Sequence, residues 1–451
     1  MYKVIKNSWA LFTGIGIMMV AHGLQGNLMG VRSVIEGFNF VATGAMMSGY
    51  YVGFFWGSNM APKIVSRVGH IRVFAAFASM ASLSILIIAA YPNPIVWTFA
   101  RFITGMSVVS CFVVAESWLN DRANNRTRGK ILSVYMIVTF VGLAIGMLLL
   151  NFDSPENYKP FILVSILLSI ALVPILLTKR QAPRFKKIGT LKLIELYKIS
   201  PLGFVSSFCT GIIHSVIFTL TAVYAATMNF TIFEISLLLF LITAAGALSQ
   251  WPIGYLSDKF DRRIIIILCT ISGAIFSVLI FFVSKDSLEL MFLATEWGTS
   301  KLMFFIFITI YAGAALPLFP LNIAHTNDFV PKEKFVAAGG ALNQVFGLGA
   351  MGGPIICSMF MNEFGPSSLF IFILFFHVVI FLFALYRVTI RPAGDNPDST
   401  FTPLPKNITP LGMELDPDTG VDLSSSEKMN KENVSTLWKN KKEISVRNKR
   451  Q

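Results

Sequence analysis

The sequence predicts an all-α integral membrane protein in which twelve transmembrane helices form two pseudo-symmetric six-helix bundles. Three observations predict it. First, 54% of the 451 residues are hydrophobic and only 14% are charged, whereas soluble domains carry about 25% charge; the mean hydropathy is +0.67. Second, apolar runs of about 20 residues, enough to cross ~30 Å of hydrocarbon, recur along the whole chain. Third, the polar punctuation of the first half returns in the second.

The first run, about Trp9 to Met29, contains no charged residue. Lys3 and Lys6 before it mimic the start of a signal peptide. The run has no clear small-residue cleavage site and is followed by many more spans, so it reads as a retained helix. Counting it as 9–30, the later spans fall near 40–61, 71–91, 94–118, 131–151, 159–178, 201–227, 233–256, 264–284, 301–324, 335–361 and 367–390. The stretch from Lys285 to Ser300, containing LELMFLATEWG, reads as a loop or an interfacial helix.

A net charge of +13 raises the question of nucleic acid, and its distribution answers it. With both termini on one side, the loops of that side hold 21 Lys/Arg before the tail; those of the other hold four, Arg32, Lys159, Lys285 and Lys301. That asymmetry is the positive-inside rule. It predicts cytoplasmic termini in a bacterial inner membrane and makes the basic character a matter of topology, not nucleic-acid binding. Cys111, Cys209, Cys269 and Cys357 fall singly inside predicted helices, a spacing that suits neither disulfides nor a metal site.

The longest basic-side connection, KRQAPRFKKIGTLKLIELYK, divides the chain six helices from six. The expected organisation is an N-terminal bundle (1–180), a basic linker (181–200), a C-terminal bundle (201–391) and a disordered cytoplasmic tail (392–451). The tail loses the hydrophobic pattern and carries scattered Pro, Asp and Ser, too little apolar surface to fold alone. Its end, LWKNKKEISVRNKRQ, has six Lys/Arg against one Glu; a solvated disordered tail is the favoured reading, with contact to anionic lipid the alternative.

Internal repetition is visible at two offsets. PKIVSRVGHIR from Pro62 matches GYLSDKFDRRI from Gly254 at an offset of 192. Asn120-Asp121 matches Asn327-Asp328 at an offset of 207, which also carries Gly142 onto Gly349 and Gly146 onto Gly353. Paired six-helix halves are a transporter architecture. GYLSDKFDRR resembles the cytoplasmic loop signature of the major facilitator superfamily, Gly–x–x–x–Asp–Arg/Lys–x–x–Arg–Arg, although in the N-terminal copy Pro62 replaces the Gly and Ser66 the Asp. RFITG, Arg101 to Gly105, is similar to that superfamily's fourth-helix motif. APKIVSRVGHIRVF, AESWLNDRANNRTRGKILSVYM and LPLFPLNIAHTNDFVPKEKFVAAGG resemble its YcaD-like group. The resemblance covers about residues 9–390.

The same offset of 192 joins His22, in MMVAHGLQGNLMG, to His214, in GIIHSVIF. Both lie near the middle of their spans, where a polar group is costly unless it faces protein or water. The resemblance implies that their two helices line a central cavity, which would give His22, Gln25 and His214 to a shared polar site. Histidine titrates near neutrality, so either could carry a coupling proton; a plain interhelical hydrogen bond explains them as well. Arg101 lies about two turns inside its span with no carboxylate predicted at matching depth. The resemblance implies a role in proton coupling or in binding an anionic group, against a purely structural bridge.

Glu116, near the basic end of the fourth span, is expected to pair with Arg67 or Arg72 as a gate. Asp258, Arg262 and Arg263 form the second gate element, and the resemblance implies that their loop is tied to the start of the eleventh helix. GLGAMGGP (Gly347–Pro354) is expected to loosen that helix, and Pro317 and Pro320 to bend the tenth. GLAIG, Gly142 to Gly146, lacks the Gly-Pro pair associated with drug antiporters. No Walker A sequence or hydrolase triad supports an ATP-driven pump or an enzyme, and no cofactor is implied. The expected function is proton-coupled uptake of a small polar or anionic solute by a monomer working through alternating access. Proton-driven efflux is the nearest alternative, and a membrane sensor signalling through its tail is a more distant one.

Overall fold

The computed structural model describes residues 2–177, 189, 191–284, 299–392, 394, 399–405 and 407–419. Residues 181–188 and 190 of the expected linker therefore lie outside the described residues, as do residues 285–298 and the basic end of the tail. The N-terminal bundle comprises α1 (Tyr2–Ile35), α2 (Phe40–Val68), α3 (His70–Ala90), α4 (Pro94–Arg122), α5 (Arg128–Leu148) and α6 (Lys159–Leu176). A short α7 (Leu193–Ile199) leads into the C-terminal bundle. That bundle comprises α8 (Pro201–Thr227), α9 (Ile232–Ser257), α10 (Arg262–Ser284), α11 (Thr299–Ala315) with α12 (Leu318–Asn327), α13 (Phe335–Phe364) and α14 (Ser368–Ile390). Taking α11 and α12 as one broken rod, two sets of six face each other. Ten of these segments are long and apolar enough to cross a membrane by length and composition; α1 and α2 have the length but are not among the ten.

Helix ends are set by local chemistry. Asn39 accepts from the Ala42 N–H at 2.7 Å to start α2, and Asn93 accepts from Ile95 N at 2.9 Å just before Pro94 begins α4. Thr231 and Glu234 form a reciprocal capping box on α9. Gly69, at φ +94°, allows the sharp return from α2 to α3. Proline breaks the tenth rod between α11 and α12, as the sequence predicted, because Pro317 has no N–H for the helical ladder.

Loops at Gly69, 123–127, 258–261 and 328–334, with the N-terminus and the tail, share one end, here called the basic end. The internal repeat is visible as packing. A methyl group on Gly142 would come within 2.8 Å of Gly16 O, and one on Gly349 within 3.2 Å of Ile212 N, beside Phe208 O. Residue 208 is residue 16 plus 192, so α5 meets α1 as α13 meets α8. The glycines of GLGAMGGP thus serve close helix packing. The predicted loosening does not occur: α13 is continuous through Pro354.

Between the bundles, direct contact is concentrated toward the end opposite the basic one. A methyl on Gly30 would meet Ala222 Cβ at 2.8 Å, the Ile355 N–H donates to Ser48 Oγ at 3.1 Å, and Asn151 Nδ2 donates to Ser236 Oγ at 2.6 Å. At the basic end a stretch of the tail lies between them. The sequence reading placed all of 392–451 in a disordered tail; residues 399–419 depart from it, and Phe401, Leu404, Ile408, Leu411, Met413 and Leu415 are all buried. Their burial surface is supplied by the bundles, which a reading of the tail alone leaves out.

Candidate functional site

The centre is built from α1, α2 and α4 on one side and α8 and α13 on the other. Gly49, Gly53 and Gly57 on α2 face α4, and Gly105 faces back: a methyl on Gly105 would lie 2.8 Å from the Tyr50 carbonyl carbon and 2.9 Å from Phe54 N. This close approach brings the Arg101 guanidinium over the Tyr50 ring, 4.6 Å from its centroid, a favourable contact in a desolvated site. His22 stacks on the same Tyr50 ring, with centroids 5.4 Å apart and Nε2 at 3.4 Å from the Tyr50 hydroxyl.

Arg101 is 2% exposed, and its Nε and Nη1 have no hydrogen-bond partner among the described residues. None of the ion pairs formed by described residues includes it. Gln25 Nε2 and Asn27 Nδ2, both buried on α1, are likewise unpartnered donors. A buried donor without an acceptor is costly, so this side of the molecule is short of acceptors.

A central cavity of about 40 Å³ is lined by Tyr50 and Tyr51 of α2, His214 and Ser215 of α8, Phe346 and Gly347 of α13, and Asn407, Ile408 and Pro410 of the tail. His214 lines it directly. Its Nε2 lies 3.1 Å from Ala315 O and its ring meets Phe346 edge-on at 5.5 Å. His22 does not line it; Tyr50 stands between. The expected sharing of one cavity by both histidines is therefore indirect, because the tyrosine ring occupies the space that the 192 offset alone would leave open.

The gate residues fall differently from expectation. Glu116 pairs with neither Arg67 nor Arg72; both arginines are exposed. Its two oxygens accept from the Tyr135 hydroxyl at 2.8 Å, from the Thr409 N–H at 3.3 and 3.2 Å, and from the Thr409 hydroxyl. Asp258 accepts from Arg262 Nη2 at 3.0 Å and from the Phe401 N–H at 2.8 Å. Arg262 also donates to Ala324 O at 2.9 Å, to Asp328 and to Ser399 O at 2.7 Å. The loop is thus tied to the end of α12 and to the tail, and not to the start of α13. Arg263 clamps Asp261 and donates to Arg391 O at 2.5 Å. Burial raises the Asp328 carboxyl to about 7, against the lowering effect of Arg262.

The Major Facilitator Superfamily model matches residues 8–294. The chain belongs to that superfamily. Among its relatives is an uncharacterized MFS-type transporter, YcaD, of Escherichia coli, 26% identical over 395 residues that cover 86% of this chain and 96% of the relative. The Escherichia fergusonii YcaD is 24% identical over 365 residues, covering 80% and 91%. Among solved structures, the nucleoside transporter NupG superposes with TM-score 0.70 at 12% identity, covering 85% of this chain and 99% of NupG. A D-xylose-proton symporter superposes with TM-score 0.65 at 13% identity, covering 89% and 99%. These likenesses show a major facilitator fold in a multi-pass membrane transporter.

Within that fold, the residues singled out from sequence divide into three groups. His22 and Arg101 meet through Tyr50, His214 stands across the cavity, and Glu116 and Asp258 face the tail from opposite bundles. Sequence reasoning missed Tyr50, Tyr135 and Gln250, and every tail residue. For Tyr50 the signal was present in YYVGFFWG, an aromatic run interleaved with the glycines that bring α2 against α4.

Proposed function

We propose that this major facilitator protein moves a small polar or anionic solute by alternating access, and that it takes the solute up with a proton. The observation that carries this reading is the unmatched donor set: a fully buried guanidinium without a carboxylate, beside a helix bearing two further unpartnered amide donors. An acceptor-rich solute supplies what the protein leaves out. In this reading Arg101 holds the acceptor group, Gln25 hydrogen-bonds the polar body of the solute, and His214 carries the proton from the cavity wall. Tyr50 hands the solute from the cavity to Arg101 by swinging its ring. Both termini lie in the cytoplasm of a bacterial inner membrane, and the working unit is a monomer.

The test is a ligand-stabilisation screen of the purified protein against pools of anionic and neutral polar metabolites. An anionic solute should raise the melting temperature of the parent and leave Arg101→Ala unmoved. Stabilisation by the same solute in both proteins would remove Arg101 from the site. Uptake of that solute into proteoliposomes under an imposed inward proton gradient then reads coupling and direction together; faster loss from preloaded vesicles would reverse the assignment to efflux.

A further inference from the structure

We propose that residues 399–405 and 407–419 form an intramolecular plug that seals the basic-end mouth of the solute pathway and must leave before solute can pass there. Its polar contacts run from one bundle to the other in chain order. Arg262 donates to Ser399 O, the Phe401 N–H donates to Asp258 at 2.8 Å, and the Leu404 N–H donates to Gln250 Oε1 at 2.9 Å. Asn343 Nδ2 then donates to Ile408 O at 3.1 Å. On the N-terminal bundle, Thr409 donates twice to Glu116, Asn120 Nδ2 donates to Leu411 O at 2.6 Å, and Arg128 Nη1 donates to Thr419 Oγ1 at 3.0 Å.

The seat is shaped as well as polar. A methyl on Gly254 would overlap the Phe401 ring, one on Gly340 would lie 3.2 Å from Pro410, and one on Gly339 3.2 Å from Met413. Three glycines on two helices thus make room for three tail side chains. Conversely, Gly412 lies where a methyl would come 2.7 Å from the Glu116 carboxyl carbon. A strand merely draped over a surface would not need glycines on both partners.

The position explains the function. Asn407, Ile408 and Pro410 form the wall of the central cavity on the mouth side, and about 40 Å³ remains inside. Solute sites need hundreds of Å³, so the cavity holds water at most while the tail is seated. Beside the tail, a space of about 510 Å³ separates Pro62 and Lys63 at the end of α2 from Ala337 and Gly340 on α13, with Thr409 to Leu411 along one wall. The bundles are parted there, and the tail occupies the remainder of the gap. The inference takes from the transporter reading only what passes through the mouth; the seat itself is tested without any solute.

A full-length protein carrying Ala350→Cys places a thiol in the wall of the central cavity, where Ala350 is 1% exposed. The four native cysteines are buried and give a low background. The probe is a polar fluorescent maleimide applied in detergent. Thr409→Pro removes both donors to Glu116, and Phe401→Asp places a charge in the opposite end of the seat. Each should raise the labelling rate at position 350 about tenfold or more, the first by stripping Glu116 of charge-assisted hydrogen bonds and the second by burying an unpaired charge. A thiol at Tyr158→Cys, exposed at the far end, should label at an unchanged rate and so report an intact bundle. Unchanged labelling at position 350 in either folded variant overturns the plug. If one variant fails to fold, the other decides, because the two substitutions act on different bundles.

Discussion

Gly105 gives the most direct test of how the central site is assembled. A methyl there would meet the carbonyl carbon of Tyr50 at 2.8 Å and Phe54 N at 2.9 Å, well inside van der Waals contact. The atoms met are backbone, which cannot rotate aside, so α2 and α4 must separate by several tenths of an ångström. Overpacking of this kind costs about 1–3 kcal/mol, and the upper end applies to backbone contacts. Alanine recovers about 1 kcal/mol through its helix propensity, leaving a net loss of about 2 kcal/mol. Gly26 on α1 is the counterpart, since nothing lies within 4 Å of a methyl there. Gly26→Ala should therefore stabilise by up to about 1 kcal/mol. The assay is thermal unfolding in detergent with a thiol-reactive fluorophore, which reports the exposure of Cys111, Cys209, Cys269 and Cys357, all buried in the native state. The expected order of melting temperatures is Gly26→Ala, parent, Gly105→Ala, with the last several degrees below the parent. A Gly105→Ala protein that melts with or above the parent would refute the claim that this glycine sets the Arg101–Tyr50 contact.

Asp258→Asn removes one of the two charge partners of Arg262 and weakens the acceptor for Phe401, so it should change initial uptake rates while the equilibrium affinity read by thermal stabilisation moves less than twofold. His214→Gln keeps a hydrogen-bonding side chain on the cavity wall but carries no proton; it should abolish uphill accumulation and leave solute exchange measurable, and full pH-driven accumulation would free His214 of the proton. Seating of the tail should also depend on pH through Asp416. Burial pushes that carboxyl up from 3.8 to about 6, reinforced by Asp418 and opposed by the Asp418 N–H, the Thr402 hydroxyl and Arg128. A carboxyl raised in the seated state binds its proton more tightly there, so seating strengthens as pH falls from 7 toward 5. Labelling at Ala350→Cys, normalised to the exposed Tyr158→Cys thiol to remove the pH dependence of the thiol itself, should slow over that interval, and Asp416→Asn should flatten the change.

Much of the fold was legible because the membrane imposes it. Twelve apolar runs follow from the need to satisfy backbone groups inside hydrocarbon, and the offsets of 192 and 207 locate the helix pairs that pack alike, Gly142 on Gly16 and Gly349 on Phe208. The site was legible only as residue types at depth. His22, His214 and Arg101 were found because polar groups in apolar runs stand out, whereas Tyr50 did not, an aromatic residue in a membrane helix being unremarked by hydropathy. Gate partners were assigned to cations expected at the same end of the membrane, Arg67 and Arg72. Glu116 instead takes a partner 293 residues away, a distance at which no local pattern operates. The tail failed for a related reason. Phe401, Leu404, Ile408, Leu411 and Leu415 recur at spacings of three and four, but Pro403, Pro405 and Pro410 forbid the helix that such a pattern signals, and the shape they fit belongs to α9, α4 and α13.

The placement of the tail bears on both halves of an alternating-access cycle. Glu116 and Asp258 sit on different bundles and each accepts a backbone N–H from one continuous stretch, Thr409 and Phe401 respectively. Opening the mouth further stretches that stretch between its two anchors. Closing the mouth, which the cycle requires when the opposite end opens, needs the volume that Leu404, Ile408 and Leu411 now fill. Both movements are therefore resisted by the same bridge from Phe401 to Thr409, and the resistance is lost together when the bridge leaves. A segment that only blocked passage would leave the bundles free to rock; this one holds their relative position as well, so its release should coincide with the rocking motion and not merely precede it. Crosslinking Asn120→Cys to Leu411→Cys with a short bridging reagent separates the two cases. If the tail restrains the bundles, the crosslinked protein should resist labelling both at Ala350→Cys from the basic end and at the near-isosteric Ser48→Cys on the far interface, whereas a simple cover would protect only the first.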